Sequence, residues 1–252
     1  MEARQRVLGF LYAKPSLRLV AREVKRTRRL AFERLGSDRY SHPAENDLDR
    51  KLVDFLPERK GVFVEAGAYD GYLASNTYWF ERFRGWTGVL VEPLPDLADR
   101  ARKERPRSQV FQCALVPANY EEPHVTMRYG AIMSVVLNSW ADASQEQEHA
   151  RTGAQAHYGG TFELQVRARP LSDVLNEAGI TDIDLMTLDV EGFEAPVLRG
   201  LDLCKHCPRF LLIEMLDEER QRVEIESILG ARYKYETQLS NFDHLYRRTK
   251  PV

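Results

Sequence analysis

Apolar positions along the chain follow two rhythms, and the change between them divides it. In the first segment Leu17, Val20, Val24, Ala31 and Leu35 recur mostly at three- and four-residue steps, a helical stripe. Arg22, Lys25, Arg26, Arg28 and Arg29 crowd the remaining faces of that helix. From Gly61 onward short apolar runs alternate with helical stretches. The runs at 62–64, 88–92, 110–115, 183–190 and 210–215 read as strands. Helices are expected through Phe80 and Phe83 up to Gly85, between Pro95 and Pro106, from Leu171 to Ala178 with Gly179 as terminator, and from Asp217 to Leu229. The tail, 232–238 and 244–248 around Ser240-Asn241, reads as an antiparallel hairpin. Continuous apolar strands separated by helices imply an α/β fold, doubly wound and Rossmann-like, with a mostly parallel sheet covered on both faces.

One stretch breaks the rhythm. Between about 121 and 168 two short strands, 125–129 and 162–168, flank a polar span that contains His149, Gly153 and His157. An insertion of that length between core units reads as a substrate-side excursion, with residues 142–160 as a lid. The expected organisation is therefore a helical segment at 1–55 and one α/β domain at 56–252 that carries the insertion.

Charge sharpens the division. Residues 1–35 hold ten Lys and Arg against three Asp and Glu, whereas the remainder holds 26 against 35. The basic segment reads first as a solvated helix packed on the domain's edge, and second as a surface for anionic lipid. Nucleic acid is not expected, because the rest of the chain is acidic and shows no interleaving of basic and aromatic residues. No apolar run is long enough to cross a bilayer, and the first residues lack a secretory h-region. Three cysteines in 252 residues suit a reducing, cytoplasmic setting. Cys204-Lys205-His206-Cys207 is a single C-x-x-C without a second pair and reads as a connecting turn.

The first strand and its turn carry candidate chemistry. VEAGAYDGYLASNT places Gly67 and Gly71 at a G-x-x-x-G spacing that allows a tight turn, and it lacks the G-x-G-x-x-G dinucleotide fingerprint. Glu65 and Asp70 flank the turn with no Lys or Arg inside it. Carboxylates there oppose a pyrophosphate and favour a ligand bearing an ammonium and a sulfonium. Glu92, at the end of the second strand, is positioned to accept ribose hydroxyls. Asp189 ends the buried strand before the next turn, where it faces the ligand cleft. Glu191 and Glu194 are expected in the first turn of the following helix, where the helix dipole favours carboxylates.

Read together, these segments resemble the FkbM-type methyltransferases over residues 40–215. YSHPAENDLDRKLVDFL, VFVEAGAYDGYLASNTYWFE, WTGVLVEPLP, IDLMTLDVEGFEAPVLRGL and RFLLIEM carry the likeness, with Glu65 standing where Asp is common and His42 where Gln is usual. The resemblance implies a class I methyltransferase fold with a seven-stranded sheet, S-adenosylmethionine as cofactor, and most often a hydroxyl of a sugar, glycoside or natural product as the methyl acceptor. It implies a cofactor set of Glu65, Gly67, Ala68, Tyr69, Asp70, Gly71 and Asn76 from the loop, Glu92 and Pro93 after the second strand, Ala114 in the third, and Asp189. An alcohol needs a base or a metal to lose its proton, and the candidate bases are Asp189, His149 and His157. Asp189 and Glu214, which end neighbouring strands, would be the ligands if Mg²⁺ took part. The competing readings are an NAD(H)- or nucleotide-sugar-binding protein on the same sheet and a catalytically silent binding module.

Overall fold

The computed structural model describes residues 15–140, 142–156 and 160–249. His157 lies outside the described residues. Contacts divide the chain into two compact units between His42 and Pro43.

The described part of the first unit is helix α1, Pro15–Arg34, followed by a turn. Val20 and Val24 of its apolar stripe are exposed. Within the unit Arg29 pairs with Glu33 at 3.6 Å, and the Ser41 hydroxyl donates to Glu33 at 2.8 Å.

The second unit begins with helix α2 (Leu48–Leu52) and is built on a seven-stranded sheet. Its parallel centre comprises β1 (Val62–Ala66), β2 (Thr87–Val91) and β3 (Gln109–Phe111), together with β8 (Leu185–Leu188) and β9 (Phe210–Glu214). β1 is the middle strand, pairing Ala66 with Val91 of β2 on one side and with Leu188 of β8 on the other. The hairpin β10 (Tyr233–Gln238) and β11 (Asp243–Arg248) closes one edge, β11 running antiparallel to β9. The spatial order is β10-β11-β9-β8-β1-β2-β3, so the seven-stranded, doubly wound sheet expected from the sequence is present. Order reverses at β1 and β8, and the crevice at the carboxyl ends of those strands is where such sheets bind ligands.

Successive strand residues supply opposite faces. Val64, Val89, Met186 and Leu211 point into one core, with α6 (Leu171–Ala178), α7 (Glu194–Arg199) and α8 (Glu218–Leu229) packed on it. Phe63, Leu90, Leu185 and Leu212 point into the other, against Leu48 and Leu52 of α2 and Phe80 of α3 (Tyr78–Phe83). Helix α4 (Pro95–Glu104) opens on Pro95 and stops before Pro106, and α6 ends at a left-handed Gly179; all three signals were legible.

The run at 110–115 is not one strand. After Phe111 the chain leaves the main sheet, and β4 (Ala114–Val116) pairs with β7 (Glu163–Pro170) in a second sheet ordered β4-β7-β5-β6. Here β5 is His124–Arg128 and β6 is Val135–Val136. The polar span between β6 and β7 holds helix α5, Ala143–Ala156. Gly153 sits inside α5, where a Cβ would lie 2.2 Å from the Gly130 carbonyl oxygen. It is a packing glycine rather than a hinge.

One buried ion-pair network ties β1 to three neighbours. Arg105, fully buried just after α4, reaches Glu81 of α3 at 2.8 Å and Glu65 of β1 at 3.3 Å. The same guanidinium donates to the Gly71 carbonyl, the Ser75 hydroxyl and the Thr77 hydroxyl. Arg105→Leu strands two buried carboxylates and should cost about 3–5 kcal/mol in urea denaturation. Adding Glu65→Gln and Glu81→Gln should recover part of that loss, and an Arg105→Leu chain as stable as the parent would show the network to be dispensable.

Candidate active site

The carboxyl ends of β1, β2 and β8 open into a cavity that residues of the second sheet line on one side. One side is polar, formed by Glu65, Asn76, Glu92, Thr187, Asp189 and Glu191; the side toward the second sheet is apolar, with Met127, Ile132, Val136 and Phe193. No lysine or arginine among the described residues lines it.

The glycine loop is shaped by its own neighbours. Gly67 has φ +88°, and a Cβ there would lie 1.8 Å from the backbone oxygen of Asp189. Gly71, at φ +80°, has no such room against Ala101 and Arg105 of the α4 region. Both glycines are thus demanded by chain-to-chain approach, and only Gly67 touches the cavity. Asp70 accepts hydrogen bonds from the backbone N–H groups of Tyr72 and Leu73. Ala68 packs into the core. Ala68, Asp70 and Gly71 therefore hold the turn from behind and do not face the cavity, whereas the remaining eight members of the expected cofactor set line it.

Glu65 corrects one expectation. The turn has no cation in sequence, yet Arg105 arrives from 40 residues away. Both carboxylate oxygens of Glu65 are engaged, Oε1 by the Asn76 N–H and Oε2 by the hydroxyls of Ser75 and Thr77 and by Arg105. It borders the cavity with its charge already neutralised.

Glu92 accepts the N–H of Tyr69 at 2.8 Å and that of Leu94 at 2.9 Å, one on each oxygen. A carboxylate has further acceptor capacity beyond two such bonds. Burial pushes its carboxyl up to about 8 against the pull of those two bonds.

Beyond β8 four acidic residues converge. Burial, reinforced by Glu191, raises the Asp189 carboxyl to about 8, and its side chain hydrogen-bonds Glu214. Glu191 is raised to about 8 by burial and by Glu194. Glu194 is raised to about 7 by burial, although it accepts the backbone N–H groups of Val190 and Gly192. Glu214 is pushed far up by burial and by Asp189. Of the two carboxylates expected in the first helical turn, Glu194 opens α7. Glu191 instead precedes the helix, in the left-handed region at φ +57°, a conformation costing a non-glycine residue about 1–3 kcal/mol. Asp189 and Glu214 do converge, but among the described residues no group of three or more His, Cys, Asp or Glu side chains is placed to hold a metal ion. The expectation of a possible Mg²⁺ site there finds no support.

The insertion reaches this cluster. His149 of α5 places Nε2 2.5 Å from Glu191 Oε2, and Trp140 donates its ring N–H to the Glu191 carbonyl at 3.0 Å. The two rings lie 4.8 Å apart. A Cβ on Gly192, at φ +89°, would lie 2.9 Å from the Trp140 ring nitrogen. His149 does not itself line the cavity.

Two cavity residues bear polar atoms that are buried and lack a partner: Asn76 Oδ1 and Thr187 Oγ1. Buried polar atoms are rarely left so, and these two mark positions that a ligand can satisfy. Asn76 was expected, and Thr187 was not. Nothing in LMTLDV singles out Thr187, whose importance depends on the side of the sheet it faces. The buried His206 meets the Ser172 hydroxyl through Nδ1 at 3.0 Å, away from the cavity, and Cys204 and Cys207 form no disulfide.

The fold is thus a seven-stranded α/β sheet with an acidic cavity at its switch point, and the family it falls in is one of methyltransferases. The chain belongs to the FkbM family: residues 65–245 match the methyltransferase FkbM domain. It is 27% identical over 175 residues to the 2-O-methyltransferase NoeI of Sinorhizobium fredii, covering 68% of this chain and 69% of that one. It is 32% identical over 93 residues to the methyltransferase sdnD of Sordaria araneosa, a third of this chain (33%) and 36% of that one. Among solved structures it is similar to a methyltransferase FkbM from Methylobacillus flagellatus, with TM-score 0.48 and 16% identity. That match covers 86% of this chain, which spans about half (52%) of the other.

The raised carboxyls set a pH dependence. In the window from pH 7 to 8 the site histidine, His149, whose ring is held down by burial, is neutral. Glu92, Asp189 and Glu191 are largely protonated in the folded protein at pH 7 and lose their protons toward pH 8, whereas they are ionised in the unfolded chain. Their contribution to stability is full below the unfolded values and is lost as pH rises toward 8. The unfolding midpoint should fall between pH 7 and 8, at up to about 1.4 kcal/mol per pH unit for each proton. Asp189→Asn should flatten the slope, and a midpoint that rises across the window would contradict the burial of these groups.

Proposed function

We propose that the chain transfers a methyl group from S-adenosylmethionine to a hydroxyl of a sugar, glycoside or related natural product, in the cytoplasm. One observation carries the cofactor assignment: an acidic cavity wall with two unpartnered polar atoms and no cation, at the carboxyl ends of β1, β2 and β8. This donor set suits a ligand with an ammonium, a sulfonium and ribose hydroxyls, and it disfavours the pyrophosphate of NAD(H) or a nucleotide sugar. Glu92 would take the ribose hydroxyls, Asn76 and Thr187 further polar atoms, and Asp189 with Glu191 the cationic end. When bound, S-adenosylmethionine supplies a methyl group already activated on sulfur. The protein then has to orient the acceptor, exclude water and accept one proton. The second sheet beside the cavity suits the second task, and Asp189 and Glu191 border the place where that proton leaves. The hydroxyl acceptor rests on the resemblance to a protein named as a 2-O-methyltransferase. The three free thiols suit a reducing compartment.

Calorimetry with S-adenosylmethionine, S-adenosylhomocysteine and NAD(H), followed by labelled-methyl transfer to a panel of glycosides, tests this reading. Binding of NAD(H) in place of S-adenosylmethionine would overturn it. Glu92→Ala should weaken S-adenosylmethionine binding by about 1–3 kcal/mol, the cost of unpaired buried groups; unchanged affinity in a folded variant removes Glu92 from the cofactor site. Asp189→Asn keeps shape and removes the ionisable proton. Turnover lost with affinity retained would make Asp189 a proton acceptor, whereas loss of both would set it against the cofactor. No change in either would make it structural.

A further inference from the structure

Methyl transfer to an alcohol poses two electrostatic problems at once. The acceptor oxygen must shed a proton, and the site must tolerate the disappearance of the sulfonium's positive charge. The cavity floor is acidic. Asp189 at the end of β8, Glu194 opening α7, Glu214 ending β9 and Glu45 ahead of α2 all act on the group around Glu191. Buried beside one another, Asp189, Glu191 and Glu214 hold protons near neutral pH, so none of them is an ionised carboxylate that simply keeps the acceptor's proton. An adjacent group that gains a positive charge in the same step would keep the balance.

Glu191 and His149 have the placement for this. Glu191 lines the cavity, its backbone is held in a left-handed conformation, and Trp140 fixes its carbonyl. Its Oε2 faces Nε2 of His149, which stands behind it on α5 and does not line the cavity. We propose, resting on the methyl-transfer reading above, that Glu191 takes the proton of the acceptor hydroxyl and relays one to His149, so that the charge lost at sulfur reappears on the imidazole. In the step, the acceptor's O–H bond breaks as its oxygen bonds the methyl carbon, and the carbon–sulfur bond breaks with its electrons left on sulfur. The proton goes to Glu191 Oε1 while the proton on Oε2 passes to His149 Nε2. Sulfonium and neutral imidazole become thioether and imidazolium, and Glu191 ends as it began, a neutral carboxylic acid. Glu191 is the catalytic residue of the pair, and His149 is a positioning residue that acts through it. The relay also assigns the insertion a chemical part, since His149 and Trp140 both come from it.

The test uses the full chain with ¹⁵N-labelled histidine, saturated first with S-adenosylmethionine and then with S-adenosylhomocysteine near neutral pH. Of the six histidines, His149 is assigned by the resonance that H149Q lacks. The expected result is a neutral His149 ring with the sulfonium ligand and an imidazolium pattern with the thioether. E191Q should abolish the change. A His149 ring in the same state in both complexes overturns the relay. In methyl transfer to simple methyl glycosides, H149Q should lower kcat by about 10²–10⁴-fold, the range for proton-transfer catalysis, with KM for S-adenosylmethionine held within roughly twofold. A raised KM with kcat retained would instead make His149 structural and overturn the relay. If S-adenosylmethionine does not bind the parent chain, the cofactor reading falls and the relay falls with it. If both ligands bind without the protonation change, the relay alone fails.

Discussion

The guanidinium of Arg105 is buried without access to water, and much of the cofactor-side architecture hangs on its having two carboxylates and three oxygens to bind. A charge in that position is tolerable only when its partners are complete. The partners come from β1, from the loop after it and from α3, so satisfying one side chain fixes all three relative to α4. The loop is then stiff before any ligand arrives. Tyr69 is held in the left-handed region, its N–H on Glu92, and the Asn76 N–H is spent on Glu65. The Phe63 and Tyr78 rings lie 5.0 and 5.7 Å from the same guanidinium and seal it from solvent.

The carboxylates beyond β8 are arranged on the opposite principle. Glu65 and Glu81 share one permanent cation, whereas Asp189, Glu191 and Glu214 are buried beside one another and hold protons instead. That arrangement sacrifices stability at neutral pH for a site in which charge and proton can move. Two groups of acids within one sheet thus serve different ends, one securing the scaffold and the other supplying chemistry. The difference lies in whether an arginine reaches them.

The insertion meets the second of these systems. Glu146 of α5 is buried, pairs with Arg128 of β5 at 3.4 Å and accepts the Ser139 N–H at 2.9 Å, which steadies the approach to Trp140. Trp140 and His149 then close on the turn at Glu191 and Gly192. A stretch that reads as polar and irregular is in this way keyed to the core at both its helix and its strands.

Local pattern by itself determined the strand and helix order, the hairpin, the helix start at Pro95 and stop at Gly179, and the residues at strand ends that face the crevice. Those features follow from periodicity and backbone chemistry, which act over a few residues and are written where they act. Eight members of the expected cofactor set line the cavity for that reason. Tertiary structure alone decided which acid gains a cation and which a histidine, because Arg105 meets Glu65 across 40 residues of chain and His149 meets Glu191 across 42. It also decided that the run at 110–115 divides between two sheets, since an apolar strand carries no mark of the partner it will pair with. Thr187 and Phe193 entered the site on the same terms. Which side chain faces a cavity depends on the packing of distant elements, and no spacing in the chain records that.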